Sequence, residues 1–352
     1  MDDRNDHGSE SSGSGSHTGQ SQSGTRTRIG LDVGTSKVVS ARGDNISPTT
    51  DSQLNAFFDV PYSALHEQGL KANRTPFYRE NDRLIVYGDA SEKFAHIFNA
   101  NVRRPMAKGI LNPSEPQATH VLETVLSTLV PQSRNPGELL AFSVPAAAPE
   151  TGHELTYHEE TIKRYLKGRG YTPLAVNEGL AVVLAELAKE GFTGIGISCG
   201  GGMCNVAISY LSIPSLTMSL AHGGDFIDAS VGAVVNEPAT RVKAIKEETL
   251  DLTREGGDKI DKALHIYYDK LIEQLVEELG KAVQKTPKLP RNDQPMPIIL
   301  AGGTSKPNGF RDRFEKALRR RSWPFQIGEV RMASDPLTAT ARGALVAALA
   351  ER

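Results

Sequence analysis

The sequence predicts an α/β protein of two related domains with a phosphate-binding cleft between them. Two glycine hairpins and a repeated order of elements carry that expectation. Ile29-Gly30-Leu31-Asp32-Val33-Gly34-Thr35-Ser36 stands near the start. Ile195-Gly196-Ile197-Ser198-Cys199-Gly200-Gly201-Gly202-Met203-Cys204-Asn205-Val206-Ala207-Ile208 stands past the middle. Each reads as a strand, a glycine turn and a second strand. Glycine admits positive φ and close approach of a ligand, so N–H groups can converge on phosphate oxygens. Two such turns in related halves point to a nucleotide gripped from both sides.

The elements between the hairpins follow in order. Val38 to Ala41 continues a strand, and Asp51 to Val86 is mixed and polar, with turn signals at Pro61 and Asn81-Asp82. Part of this stretch, about 51–110, reads as a small inserted subdomain. Pro116 to Leu129 reads as a helix and Leu139 to Pro145 as a short buried strand. His158 to Gly168 is helical, Leu174 to Asn177 a strand, and Gly179 to Leu187 a helical run. In the second half, Ile260, Leu264, Tyr267, Leu271, Leu275, Leu279 and Val283 recur at i+3/i+4 spacing. That stripe predicts a helix from about Lys259 to Gln284 with one face on a core. Ile298-Ile299-Leu300-Ala301 reads as a buried strand running into Gly302-Gly303-Thr304-Ser305. The last helix is expected to begin at Asp335-Pro336, a cap followed by proline in the first turn, and to run to about Leu349.

Composition bounds the function. At 352 residues the chain has room for two ordinary domains, here 28–190 and 191–352. A net charge of -2 gives no electrostatic reason to expect nucleic acid or an anionic membrane. Residues 1–27 carry no aliphatic side chain after Met1 and are expected to form a disordered tail. The tail has no apolar core for a signal peptide and no apolar face for a membrane anchor. No stretch is long and apolar enough to span a bilayer, so a soluble, cytoplasmic protein is expected. The cysteines, Cys199 and Cys204, fit no zinc spacing. They read as small apolar residues on buried strands, with a redox pair as the alternative.

Asp32-Val33-Gly34-Thr35, Val176-Asn177-Glu178-Gly179, Gly200-Gly201-Gly202, Ala301-Gly302-Gly303-Thr304-Ser305 and Asp335-Pro336-Leu337 with Gly343-Ala344 stand in one order. From about Arg28 onward this order resembles the actin/Hsp70/sugar-kinase superfamily: phosphate 1, connect 1, phosphate 2, adenosine and connect 2. Bacterial actin homologues of the MreB/MamK type fit best. Arg104-Pro105 with Lys108-Gly109-Ile110 is similar to their R-P-x-x-x-G-V segment. Gly223-Gly224-Asp225-Phe226-Ile227-Asp228 is similar to their G-G-D-x-x-D turn, and Ala244-Ile245-Lys246 to the end of A-E-x-I-K.

The resemblance implies an actin-like fold, each domain a mixed sheet flanked by helices, closing over ATP and Mg²⁺, with the last helix packed back on the first domain. It implies that Gly34, Thr35 and Ser36 cradle phosphates, and that Asp32 orients water around the metal. It places Glu178 as the catalytic glutamate that orients the attacking water. Gly200, Gly201 and Gly202 would contact the outer phosphates, with Gly224 and Lys246 beside them. Gly302, Gly303 and Thr304 would let adenosine lie against the backbone. The alternatives are that Asp32 caps a turn and that Glu178 is an ordinary strand-end carboxylate.

The pattern also departs from the family. Phosphate 2 ordinarily reads D-x-G-G-G-T-x-D/E, and Ser198, Met203 and Asn205 replace the acid, the threonine and the final acid. Phosphoryl transfer rests on positioning and charge stabilisation, so hydrolysis is expected to be weak or lost while binding survives. Lys243 stands where the family often carries an acid beside the ribose. The upper lobe of the second domain is expected to be reduced or missing, because only about 247–258 separates Lys246 from the long helix. The resulting expectation is a nucleotide-binding actin-like protein that self-associates into cytoskeletal filaments. The alternative is a non-polymerising adaptor that binds nucleotide and an unidentified protein partner.

Overall fold

Apolar residues flanking the first glycine turn build an antiparallel meander. It consists of β1 (Ile29–Val33), β2 (Lys37–Arg42) and β3 (Thr49–Leu54). Ile29 and Leu31 are fully buried, because helices cover both faces of this strand. β9 (Glu138–Val144) and β10 (Tyr171–Asn177) join parallel to β1, giving a mixed sheet of order β10-β9-β1-β2-β3. The computed structural model describes residues 28–44, 46–146, 152–286, 289 and 294–351. The expected tail, 1–27, lies outside them.

The second half repeats the plan. β11 (Gly194–Cys199), β12 (Cys204–Tyr210) and β13 (Ile213–Leu220) form the meander, and β14 (Met296–Ala301) and β15 (Ile327–Met332) add parallel to β11. Their order, β13-β12-β11-β14-β15, mirrors the first sheet strand for strand. The expectation of two related α/β halves with mixed sheets is met.

Between β3 and the first core helix lies a small sheet of β4 (Phe57–Pro61), β5 (Phe77–Glu80) and β6 (Arg83–Tyr87), with β6 central. Helices α1 (Ala64–Ala72) and α2 (Asp89–Phe94) complete it around Phe58, Leu70, Leu84 and Val86. A two-residue-stranded hairpin, β7 (Met106–Ala107) and β8 (Ile110–Leu111), leads back to the main body. The insertion therefore starts later than the sequence suggests. Residues 51–54 belong to β3 in the large sheet, their polar side chains facing solvent at an edge strand.

Helices α3 (Ala118–Leu129) and α4 (Gly152–Gly168) accompany the first sheet, and α5 (Glu178–Glu186) follows β10. Around the second sheet lie α6 (Gly224–Val235), α7 (Ala239–Thr249), α8 (Lys259–Lys285) and α9 (Phe310–Arg319), and α10 (Ala339–Ala350) closes the chain. Asp258 caps α8 by accepting from the Asp261 amide at 2.8 Å. The buried stripe runs Ile260, Leu264, Tyr268, Leu271, Leu275, Leu279 and Val283. Tyr268 rather than Tyr267 fills it, since Tyr268 lies four residues past Leu264 and Tyr267 falls at the stripe's margin. Each buried leucine contributes about 1.5–3 kcal/mol.

Helices α5 and α10 pack together between the sheets and exchange sides. α5 lies on β11 and β12 of the second sheet, while α10 lies on β1 and β9 of the first. The two backbones touch at Gly343, where a Cβ would stand 1.7 Å from the Ala181 carbonyl oxygen. α10 begins at Ala339, later than expected, because Asp335 builds a turn instead. Its Oδ1 accepts from the Leu337 amide at 3.1 Å and its Oδ2 from Thr338 Oγ1 at 2.8 Å. Residues 250–258 form turns and one bridge from Asp251 to Asn308, with no strand. Among the described residues no helix is long and apolar enough to cross a membrane.

Candidate phosphate-binding cleft

The carboxyl ends of β1 and β11, with their glycine turns, face one another across a cleft of about 750 Å³. Asp32, Gly34, Thr35 and Ser36 line one wall, with Glu178 at the amino end of α5 beside them. Gly200, Gly201, Gly202 and Gly224 line the other, and Lys246, Gly302, Gly303 and Thr304 lie further along it. Residues drawn from six separated motifs thus share one cavity, at the strand ends where ligands of α/β sheets collect.

Local chemistry holds the second hairpin in shape. Thr304 Oγ1 donates to the Gly200 carbonyl at 2.7 Å, and the amides of Gly224 and Asp225 donate to the carbonyls of Gly200 and Gly201 at 3.1 and 2.9 Å. Gly302 adopts φ +89°, and a Cβ there would stand 2.2 Å from the Cys199 carbonyl oxygen, so only glycine fits. Lys246 Nζ donates to Asp228 Oδ2 at 2.8 Å and to the Gly224 carbonyl at 3.1 Å. This buried pair fixes α7 against the start of α6 and leaves Lys246 engaged with protein. Cys199 and Cys204 face one another across the strand pair, both buried and both free thiols.

The carboxylates sit in a dry, crowded place. Ser143 Oγ donates to Asp32 Oδ1 at 2.8 Å while accepting from the Val33 amide at 3.0 Å. Burial raises Asp32 to about 6, against the lowering effect of that hydroxyl. Glu178 is pushed up to about 8, first by burial and then by the neighbouring Asp32 charge. Hydrogen bonds from Asn205 and Ser198 oppose the rise. A protonated Glu178 is a poor acceptor for a water that must lose a proton.

The donor set also bears on a metal. Among the described residues no group of three or more His, Cys, Asp or Glu side chains could hold an ion outright. Asp32 and Glu178 converge on the cavity as oxygen donors, a set that suits Mg²⁺ carried in by phosphates with much of its water retained.

Ser143 escaped the sequence reading, as did the partners of three residues that stand out there as departures. Ser143, which holds Asp32, lies on β9 and shows no motif. Asn205 replaces an acid, yet its Nδ2 reaches Glu178 and its Oδ1 accepts from the Ala146 amide. Lys243, standing where the family often carries an acid beside the ribose, pairs with Glu92 of α2 at 2.7 Å, across the cleft mouth. Met203, in the place of a threonine, packs on the turn at Gly109, whose added Cβ would meet its Sδ at 2.6 Å.

The Volactin family profile matches residues 27–348. The chain belongs to the Volactin family. Among solved structures, a MamK double helical filament superposes with a TM-score of 0.71 at 18% identity, over 93% of this chain and 100% of that one. MreB5 of Spiroplasma citri bound to AMPPNP gives 0.63 at 13% identity, over 91% and 95%. The ethanolamine utilization protein EutJ of Carboxydothermus hydrogenoformans gives 0.56 at 16% identity, over 91% and 89%. These likenesses show an actin-like fold for this Volactin-family chain. No curated protein matches the sequence.

Proposed function

We propose that this protein is a nucleotide-binding actin-like filament subunit with weak ATP hydrolysis. The observation that carries the reading is the pair of glycine turns, at Gly34 and at Gly200–Gly202, opposed across one cavity. Glycine turns of this kind present backbone N–H groups to phosphates, and in this reading the two turns supply them from two sides. Thr35 and Ser36 add hydroxyls, and the shelf at Gly302 and Gly303 supports adenosine. MamK and MreB5, whose solved forms include a filament and complexes with AMPPNP or ADP, share the fold.

In this reading Mg²⁺ would neutralise the outer phosphates when bound, with Asp32 orienting its water shell. Glu178 positions water for attack, but its raised pKa and the hydrogen bonds from Asn205 and Ser198 hold it back. Ser198 and Met203 supply neither the charge nor the hydroxyl that the missing aspartate and threonine would have given. The adaptor reading is favoured by one observation, the absence of any strand in 250–258. High-speed pelleting with ATP, ADP or no nucleotide decides between them. Nucleotide-dependent pelleting with visible filaments supports the first reading. A soluble species that retains nucleotide supports the adaptor with an unidentified protein partner, and failure to retain nucleotide defeats both.

A further inference from the structure

Arg103 and Arg104 are adjacent in sequence and grip opposite parts of the molecule. Arg103 belongs to the small inserted sheet. Its amide and carbonyl exchange hydrogen bonds with Phe57 of β4 at 2.7 and 2.9 Å, and its guanidinium lies 4.6 Å from the Phe57 ring centroid. It pairs with Asp59 of the same strand, and with Glu115, before α3, at 3.0 Å. Arg104 turns the other way. Its Nη1 lies 2.6 Å from both carboxylate oxygens of Asp225, at the start of α6 in the second domain. The Asp225 amide in turn donates to the Gly201 carbonyl of the glycine hairpin.

The same segment touches that hairpin again a few residues later. The Gly109 amide donates to Thr35 Oγ1 at 2.9 Å, so the turn between β7 and β8 is pinned to the first phosphate loop. On its other side the turn rests against the Met203 thioether, and a Cβ on Gly202 would stand 2.7 Å from the Gly109 nitrogen. Residues 103–111 therefore bridge three bodies: the inserted sheet, the first phosphate loop and the second glycine hairpin. Local stability accounts for each contact singly. It does not account for their lying on one short segment whose two arginines face apart.

We propose that residues 103–111 act as a clasp that couples the position of the inserted subdomain to the Gly200–Met203 hairpin. A tilt of the small sheet pulls Arg103, and the next residue transmits the displacement to Asp225 and the Gly201 carbonyl. Seating of phosphates on the hairpin transmits it back. The coupling is reciprocal, as any linkage between two sites must be. It gives the cleft a direct mechanical reading of the surface that the small subdomain presents to solvent.

Hydrogen exchange tests this without any ligand, so its outcome is separate from the nucleotide-binding proposal. The probes are the amides of Gly200, Gly224 and Asp225, each hydrogen-bonded within the hairpin assembly. Arg104→Ala is expected to speed their exchange roughly two- to fivefold, the scale of one partly exposed ion pair. Arg103→Ala, which removes no contact to the hairpin, is expected to speed the same amides in the same direction. The swap Arg104→Asp with Asp225→Arg should restore protection. If Arg103→Ala loosens only residues 57–87 and leaves the hairpin amides unchanged, the clasp is overturned and Arg103 is a local staple. Should that variant not fold, Glu115→Gln weakens the same grip and carries the same two outcomes. A second arm adds ATP and rests on the proposed function. Protection should then spread from the hairpin to β4–β6 in the wild type but stop at the hairpin in Arg104→Ala, and equal spread in both would defeat the proposal.

Discussion

Asn205 ties the second glycine hairpin to the first domain. Its Nδ2 donates to Glu178 Oε2 at 2.9 Å, and its Oδ1 accepts from the Ala146 amide at 3.0 Å. The residue is fully buried, so both ends of its amide are satisfied by protein alone. An acid here would meet Glu178 with no proton to share except Glu178's own. An amide in place of an acid therefore removes a repulsion and holds the Glu178 carboxyl in place.

A first prediction concerns Glu178. Glu178→Gln preserves the shape and the contact with Asn205, so nucleotide affinity should change little. Phosphate release, slow in the proposed reading, should fall about 10- to 100-fold further if Glu178 positions the water. Single-turnover assays read it, and an unchanged rate would remove Glu178 from the mechanism.

Restoring the phosphate-2 pattern of the actin/Hsp70/sugar-kinase resemblance should act in the opposite sense. Ser198→Asp with Met203→Thr returns the acid and the hydroxyl to the cleft, and turnover is expected to rise by about two to four orders of magnitude. Met203→Thr also strips the thioether from the Gly109 turn, so it should lower the melting temperature when made alone. A double variant as slow as the wild type would place the deficit elsewhere in the cleft.

Buried titratable groups tie stability to pH in opposite senses. Glu178 has an ordinary value of 4.5 and stands near 8 in the fold, and Asp32 moves from 3.8 to about 6. Between those limits the folded chain holds protons that the unfolded chain has released. Stability from these groups is complete below their ordinary values and declines as pH rises towards 8. His158 behaves inversely. It is fully buried on α4 with neither ring nitrogen bonded, and burial lowers it from 6.5 to about 4. Its contribution is complete above 6.5 and is lost as pH falls towards 4. The two carboxyls outweigh the histidine, so melting temperature without nucleotide should fall as pH rises from 4.5 to 8, with a level stretch between 6 and 6.5 where Glu178 and His158 offset one another. Glu178→Gln should remove the fall above 6.5, and His158→Leu should steepen the fall below it.

Close approach of the central helices gives a stability prediction. Gly343→Ala must separate α10 from the Ala181 carbonyl that now occupies the Cβ position. Overpacking of this kind costs about 1–3 kcal/mol, more than the gain in helix propensity of roughly 1 kcal/mol. Chemical denaturation should show a lower midpoint, whereas Gly69→Ala, on α1 with open space around it, should be neutral or stabilising.

What was legible in the chain followed from backbone demands that one residue type alone can meet. Gly302 needs its positive φ, and at Gly34, Gly201 and Gly202 a Cβ would meet Lys37, Ser36 and Thr35 at 2.7, 2.2 and 2.3 Å. The amphipathic stripe of α8 was equally plain, with an error of one residue at Tyr268. Contacts between distant segments were not. Ser143 reaches Asp32 across 111 residues and Arg104 reaches Asp225 across 121, and the local sequence at neither end names the partner. Lys243 was visible as a departure, but its partner Glu92 lies on an inserted helix whose position depends on the whole fold.

That pair supplies the last prediction. Lys243 Nζ and Glu92 Oε1 stand 2.7 Å apart at the cleft mouth, joining α7 of the second domain to α2 of the inserted subdomain. Anything leaving the cavity on that side must pass between them or part them. The lysine is mostly covered and the glutamate about half exposed, so the attraction is modest and screened by salt. Lys243→Glu replaces it with repulsion, and release of a fluorescent ATP analogue should quicken about two- to tenfold. Adding Glu92→Lys to that variant reverses both charges and should return the rate to the wild-type value. The wild-type rate should itself rise with ionic strength, and that of Lys243→Ala should not. If Lys243→Glu releases nucleotide no faster than the wild type, the cleft mouth opens by another route and this bridge only decorates its rim.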